Sequence, residues 1–122
     1  PPGYEPDQGV VEKARQAGAR LILTNDPREA AVGADILNTD VWASMGQEEE
    51  QLIRAKAFAG FQINSELLGL AANDALVMHC LPAHRDEEIT NEVMEGSQSI
   101  IFDEAENRLH VQKAIMATLM AD

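Results

Sequence analysis

Apolar positions along this chain fall in short clusters separated by turn chemistry. Val10, Val11, Ala14 and Ala17 recur at helical spacing behind Asp7, a good N-cap residue, and Gly18 closes the run. Residues 20–24 place Leu21, Ile22 and Leu23 together, which predicts a short strand. Asp26-Pro27 is a cap followed by proline at the first helical position, and the short helix it opens ends near Gly33. Residues 34–39 predict a second strand, 40–46 a loop, and about 47–57 a charged helix. Residues 61–64 read as a weak strand. Ser65 is then expected to cap a helix carrying Leu67, Leu68 and Leu70. Residues 76–81 have the apolar centre of a buried strand, which Pro82 stops because it has no N–H for the ladder. After a loop at 83–88 and a short helix at 90–94, residues 99–102 predict a last strand. Asp103 and Glu106 resemble an acidic capping box, opening a helix that runs to about Met120. Strands alternating with helices imply an α/β fold: an open parallel sheet with helices on both faces, Rossmann-like and three-layered, with right-handed crossovers.

Composition narrows the picture. The chain has 122 residues, enough for one small domain with a real core. Aromatics are only 4% against 45% hydrophobic residues, so the core is aliphatic. The net charge of −12 repels phosphate backbones and argues against a nucleic-acid partner. No stretch has the apolar length of a membrane span, so no membrane partner is expected. A single cysteine precludes an internal disulfide and suits a reducing, cytoplasmic setting. The opening Pro1-Pro2-Gly3-Tyr4 lacks an initiator methionine and reads as a loop within a longer protein.

Three loops should meet at the carboxyl edge of such a sheet, where open α/β folds bind ligands. They hold Asp40-Val41-Trp42-Ala43-Ser44-Met45-Gly46, His79-Cys80-Leu81-Pro82 and Glu104-Ala105-Glu106-Asn107-Arg108. Taken singly, each has a plain reading. A lone cysteine is usually inert packing. Asp40 could end a strand in a turn, Ser44 could be an ordinary loop residue, and Trp42 shapes the loop by packing. His79 reads as a core histidine and His110 as a helix-face residue. Glu48, Glu49 and Glu50 read as a solvated first helical turn, and Asp86, Glu87 and Glu88 as an exposed loop. Arg108 near a helix start opposes the dipole, which slightly favours an anion-binding role. His79, Cys80 and His84 make a poor zinc set, since adjacent residues rarely share an ion and no fourth ligand is evident.

Together, in this order and spacing, the three motifs resemble the carboxyl-terminal, ornithine-binding domain of ornithine carbamoyltransferases, over residues 4–120. Ser-Met-Gly with His-Cys-Leu-Pro separates the ornithine enzymes from their aspartate-using relatives. Asp86 stands where many bacterial members carry glycine. The resemblance implies transfer of a carbamoyl group from carbamoyl phosphate to the δ-amine of L-ornithine, giving citrulline and phosphate, with no metal or organic cofactor. It implies that Asp40, Ser44 and Met45 hold ornithine. Cys80, Leu81 and Arg108 would border carbamoyl phosphate, and Cys80 and Arg108 would take part in catalysis. It further implies that residues 1–122 are part of the ornithine domain, without its first strand and without the amino-terminal carbamoyl-phosphate domain. The parent would be a homotrimer, and the isolated chain inactive and monomeric. Two readings of other classes remain open. One is a non-catalytic ornithine-binding module. The other is a thiol enzyme in which Cys80 attacks an acyl group with His79 or His84 as base.

Overall fold

A computed structural model describes residues 1–43, 46 and 50–121. The elements in order are α1 (Gln8–Gln16), α2 (Pro27–Ala31), β1 (Ile36–Thr39), α3 (Gln51–Ala57), α4 (Ser65–Leu68), β2 (Leu76–His79), α5 (Asn91–Met94) and α6 (Ile101–Met120). β1 and β2 pair in parallel, with Ile36 opposite Leu76 and Thr39 opposite His79. Val77 also bridges Ser99 in parallel, donating to the Gln98 carbonyl at 2.8 Å and accepting from the Ile100 N–H at 3.0 Å. This small parallel sheet with helices packed around it is the α/β arrangement that the alternation predicts.

Local chemistry explains the boundaries. Asp7 Oδ1 accepts the Val10 N–H at 3.0 Å and caps α1. Gly18, at φ +86°, ends it in a conformation that costs glycine little, while Ala19 N–H returns to the Ala14 carbonyl at 3.0 Å. Asp26 caps α2 through the Arg28 N–H, with Pro27 at the first position. Thr90 caps α5 through the Val93 N–H. The core joins Leu37 of β1 and Val77 of β2 with Ile63, Leu67, Ile89, Val93, Met94 and Ile101, all buried.

Several expectations are corrected. Residues 20–24 form no strand. A strand needs a ladder partner, and none of the described residues pairs with them. Between Thr24 and β1 lies a cavity of about 320 Å³, and Ile22 is 85% exposed. The expected strand at 61–64 reduces to one bridge, Ile63 with Ile89. The strand at 99–102 reduces to the Ser99 bridge, because Ile101 already begins α6 and packs into the core. α6 has Ile100 at its N-cap and no side-chain cap bond, so Asp103 and Glu106 form no capping box there. Asp103 and Glu104 instead sit in the first turn, where carboxylates suit the dipole. Asn64, not Ser65, caps α4, accepting the Leu67 N–H at 2.9 Å, while the Ser65 hydroxyl donates to Glu92. The charged helix is described from Gln51, with Glu50 at its N-cap; the expected start at 47–49 lies outside the described residues. Among the described residues no helix is long and apolar enough to cross a membrane.

Candidate functional site

The β1–β2 register builds the site. Thr39 lies opposite His79, so the next residues out, Asp40 and Cys80, emerge side by side at the carboxyl edge. The Cys80 thiol donates to Asp40 Oδ1 at 3.3 Å, and the same oxygen accepts the Val41 N–H at 2.8 Å. Cys80 is exposed, not packing filler. Its thiol pKa is pushed up from the ordinary thiol value, first by lost hydration, then by the hydrogen bond to Asp40 and the charges of Asp40 and Glu104. The thiol is therefore protonated at neutral pH.

His79 points the other way and is completely buried. Its Nδ1 accepts the Leu81 N–H at 2.9 Å, which leaves the ring proton on Nε2. Nε2 donates to Glu88 Oε1 at 3.1 Å. That oxygen also accepts the His84 N–H at 2.6 Å, while Glu88 Oε2 has no hydrogen-bond partner among the described residues. Glu88 is thus fully buried, contrary to its reading as part of an exposed loop. Nothing local distinguishes it from Glu87; the nearest hint is Ile89, a core residue directly after it. Leu81 lies between Cys80 and a cis peptide bond to Pro82, at φ +56°.

Beside Cys80 a cavity of about 490 Å³ opens between the end of β2 and α6, lined by Met78, Cys80, Asp103, Glu104, Asn107 and Arg108 among others. Arg108 is exposed and has no carboxylate partner among the described residues. It is the eighth residue of α6, beyond the first turn in which the dipole acts, so the helix start neither opposes nor favours it. The structure therefore joins Asp40 to Cys80 by a hydrogen bond and Cys80 to Arg108 across one cavity. Leu81 is turned to His79 and the core and does not line that cavity. Ser44 and Met45 lie outside the described residues. Asp40, His79 and Cys80 bring ligand atoms within 4.8 Å of one another. Both His79 nitrogens are already engaged, so a cation there would have to break one of those bonds.

Trp42 packs as expected, stacked on Phe58 at 6.0 Å. His110 is exposed on α6 beside Glu106, at 3.4 Å.

Residues 1–119 match the family described as "Aspartate/ornithine carbamoyltransferase, Asp/Orn binding domain". An ornithine carbamoyltransferase of Syntrophotalea carbinolica is 67% identical over 99% of this chain, which covers 40% of that protein. One of Wolinella succinogenes is 56% identical over 98% of the chain, again 40% of its length. Among solved structures, the ornithine carbamoyltransferase of Pyrococcus furiosus shares 49% identity at a TM-score of 0.85, covering 96% of this chain and 39% of that one. The anabolic ornithine carbamoyltransferase of Campylobacter jejuni shares 37% at a TM-score of 0.87, over 98% of this chain and 41% of its own. The chain thus spans about 40% of the length of the relatives it matches. By the match over nearly its whole length, the chain belongs to the aspartate/ornithine carbamoyltransferase family, in that family's Asp/Orn binding domain.

Proposed function

We propose that the protein carrying residues 1–122 transfers the carbamoyl group of carbamoyl phosphate to the δ-amine of L-ornithine, and that this domain holds the amino acid. The observation that carries the reading is the Cys80–Asp40 hydrogen bond, which joins the His-Cys-Leu-Pro motif to the Asp-x-Trp-x-Ser-Met-Gly motif at one strand edge. The names of the relatives support ornithine as the acceptor.

The chemistry follows from the groups present. One Asp40 oxygen is engaged by Cys80 and Val41, which leaves the other for the α-ammonium of ornithine. Ser44 and Met45 complete the ornithine contacts. The δ-ammonium resembles lysine, with a pKa of about 10.4, and must lose a proton before its nitrogen can attack. Cys80 carries that proton away, passing its own to Asp40 as it accepts one from the ammonium. The upward shift of the thiol makes its sulfur a better acceptor for the ammonium proton and makes the hand-over to Asp40 the uphill half of the exchange. The amine nitrogen then bonds to the carbamoyl carbon, the carbon–oxygen bond to phosphate breaks, and phosphate leaves. Arg108 stabilises the developing charge on the carbonyl or phosphate oxygens, and the Leu81 backbone carbonyl, not its core-facing side chain, borders the carbamoyl group.

Carbamoyl phosphate is a dianion, whereas the Cys80 cavity offers Arg108 against Asp103 and Glu104. The reading therefore assigns most phosphate contacts to residues outside 1–122, and the isolated chain is expected to be inactive and monomeric. The whole enzyme is proposed to be a cytoplasmic homotrimer. Citrulline formation by the full-length protein tests the reading. Cys80→Ala should cut kcat by about 100-fold or more with folding retained; unchanged turnover would remove Cys80 from the chemistry. Citrulline from the isolated chain, or its sedimentation as a stable trimer, would refute the division of roles.

A further inference from the structure

The turn that follows the Cys80 loop gathers three metal-ligating side chains outside all three motifs. His84, Glu87 and Glu88 bring ligand atoms within 4.8 Å of one another. His84 Nδ1 and Glu87 Oε2 stand 3.8 Å apart, both on half-exposed side chains. Alone, those two would be an ordinary surface pair of little worth. Glu88 changes the case. Its side chain is completely buried, yet its Oε2 has no hydrogen-bond partner among the described residues. A carboxylate stripped of water is costly unless each oxygen meets a donor or a cation. No lysine or arginine among the described residues supplies that charge to Glu87 or Glu88. Arg85, the nearest in sequence, is engaged by Asn91 and Glu95.

We propose that His84, Glu87 and Glu88 form a binding site for a divalent transition-metal ion of the Zn²⁺ type. Unlike Asp40, His79 and Cys80, this group has no bond to break first. The His84 ring makes only the Glu87 contact, and Glu88 keeps His79 on Oε1 while Oε2 is left for the ion. Bonds of about 2.0–2.2 Å at tetrahedral angles set ligand atoms about 3.3 Å apart, close to the His84–Glu87 separation. The backbone beneath is already fixed. The Gln62 side-chain amide donates to the Asp86 and Glu87 carbonyls at 2.8 and 2.7 Å, and the Ile63 N–H donates to the Glu88 carbonyl at 2.9 Å. One imidazole with two carboxylates suits a transition metal, whereas Mg²⁺ and Ca²⁺ favour all-oxygen sets. Three protein ligands leave a fourth position to water. The ion takes no part in carbamoyl transfer, so the proposal stands apart from the ornithine reading.

The test is titration of the chelator-treated, full-length protein with Zn²⁺ alone, by calorimetry, and with Co²⁺ alone, by its visible spectrum. His84→Ala should remove one saturable equivalent of Zn²⁺ per chain, and Glu87→Gln should weaken that equivalent by about tenfold or more. Both side chains are half-exposed, so these variants fold, which circular dichroism checks, and the test does not depend on replacing the buried Glu88. Cys80→Ala should leave the same equivalent in place. The Co²⁺ difference spectrum between wild type and His84→Ala should show tetrahedral bands without a thiolate charge-transfer band. Saturating Zn²⁺ should raise the Tm of the wild type more than that of His84→Ala. An unchanged Zn²⁺ stoichiometry in His84→Ala would overturn the proposal. So would loss of the equivalent in Cys80→Ala, which would place the ion on the thiol, or its displacement by millimolar Mg²⁺.

Discussion

Replacing Glu88 by alanine tests whether the buried His79–Glu88 pair holds the Cys80 loop in place. Two donors lose their acceptor: His79 Nε2 at 3.1 Å and His84 N–H at 2.6 Å. His79 is completely buried, so its Nε2 donor left without the carboxylate costs about 1–3 kcal/mol, less where a water enters the vacated space. His84 is exposed, and its N–H can turn to solvent, so its share is small. The alanine also relieves the cost of burying a carboxylate whose Oε2 has no partner, which offsets part of the loss. Lost packing of a fully buried side chain acts in the other direction. The balance is a destabilisation of about 2–3 kcal/mol, since removing one member of a buried pair costs more than the pair contributed. Urea unfolding of the 122-residue chain, followed by circular dichroism, measures it; at fixed slope the midpoint should fall accordingly. His79→Phe in the Glu88→Ala background should cost much less than His79→Phe alone, because the two side chains share one bond. A loss below about 0.5 kcal/mol for Glu88→Ala, the range of an ordinary surface change, would refute the account.

Three further outcomes follow from the site. Alkylation of Cys80 should titrate above the ordinary thiol range, and Asp40→Asn should bring its midpoint down, since both the hydrogen bond and the charge act upward; an unmoved midpoint would remove Asp40 as a cause. By linkage, a raised thiol pKa favours the folded chain fully below the unfolded thiol's pKa, and that contribution is lost as pH rises through the folded value. Arg108→Met should reduce kcat/KM for carbamoyl phosphate by about 100-fold, the scale of one preorganised charge at a developing anion, as read by citrulline formation. Asp86 sits at φ +66° and accepts the Asn91 N–H at 3.2 Å. Asp86→Gly should be nearly neutral, trading that bond for relief of the left-handed backbone, while Asp86→Val should cost about 1–2 kcal/mol by thermal unfolding.

Helix ends were the most legible part of the sequence, because their signals are local. Asp7, Asp26 and Gly18 act where the sequence places them, and each needs only a few neighbours to do so. Strands depend on partners distant in sequence. Leu21-Ile22-Leu23 has the composition of a strand, yet no described segment pairs with it in a ladder. Ile100-Ile101 has a strand's hydrophobicity too, but Ile101 reaches the core as the first residue of a helix. The candidate site was legible to the extent that parallel strands must bring their ends together, and so Asp40 meets Cys80. Glu88 was not, because it is distinguished only by what it touches, a histidine nine positions earlier.

The remaining thiol-enzyme reading requires a thiolate, since the anion is the nucleophile. The surroundings of Cys80 act against that anion. Its hydrogen-bond partner is a carboxylate, and Glu104 adds a second negative charge. A catalytic base must present a free ring nitrogen to the thiol, and His79 has none: Nδ1 is taken by Leu81 and Nε2 by Glu88. The His84 ring makes its nearest ionic contact with Glu87, at 3.8 Å. A thiol held protonated between carboxylates is poorly suited to attack an acyl group, but it can exchange a proton with an amine that is itself hard to deprotonate. Mass spectrometry of the full-length protein quenched during turnover separates these roles. Unmodified Cys80 at steady state is expected, and a carbamoyl or acyl adduct on its sulfur would overturn the assignment of Cys80 to proton transfer.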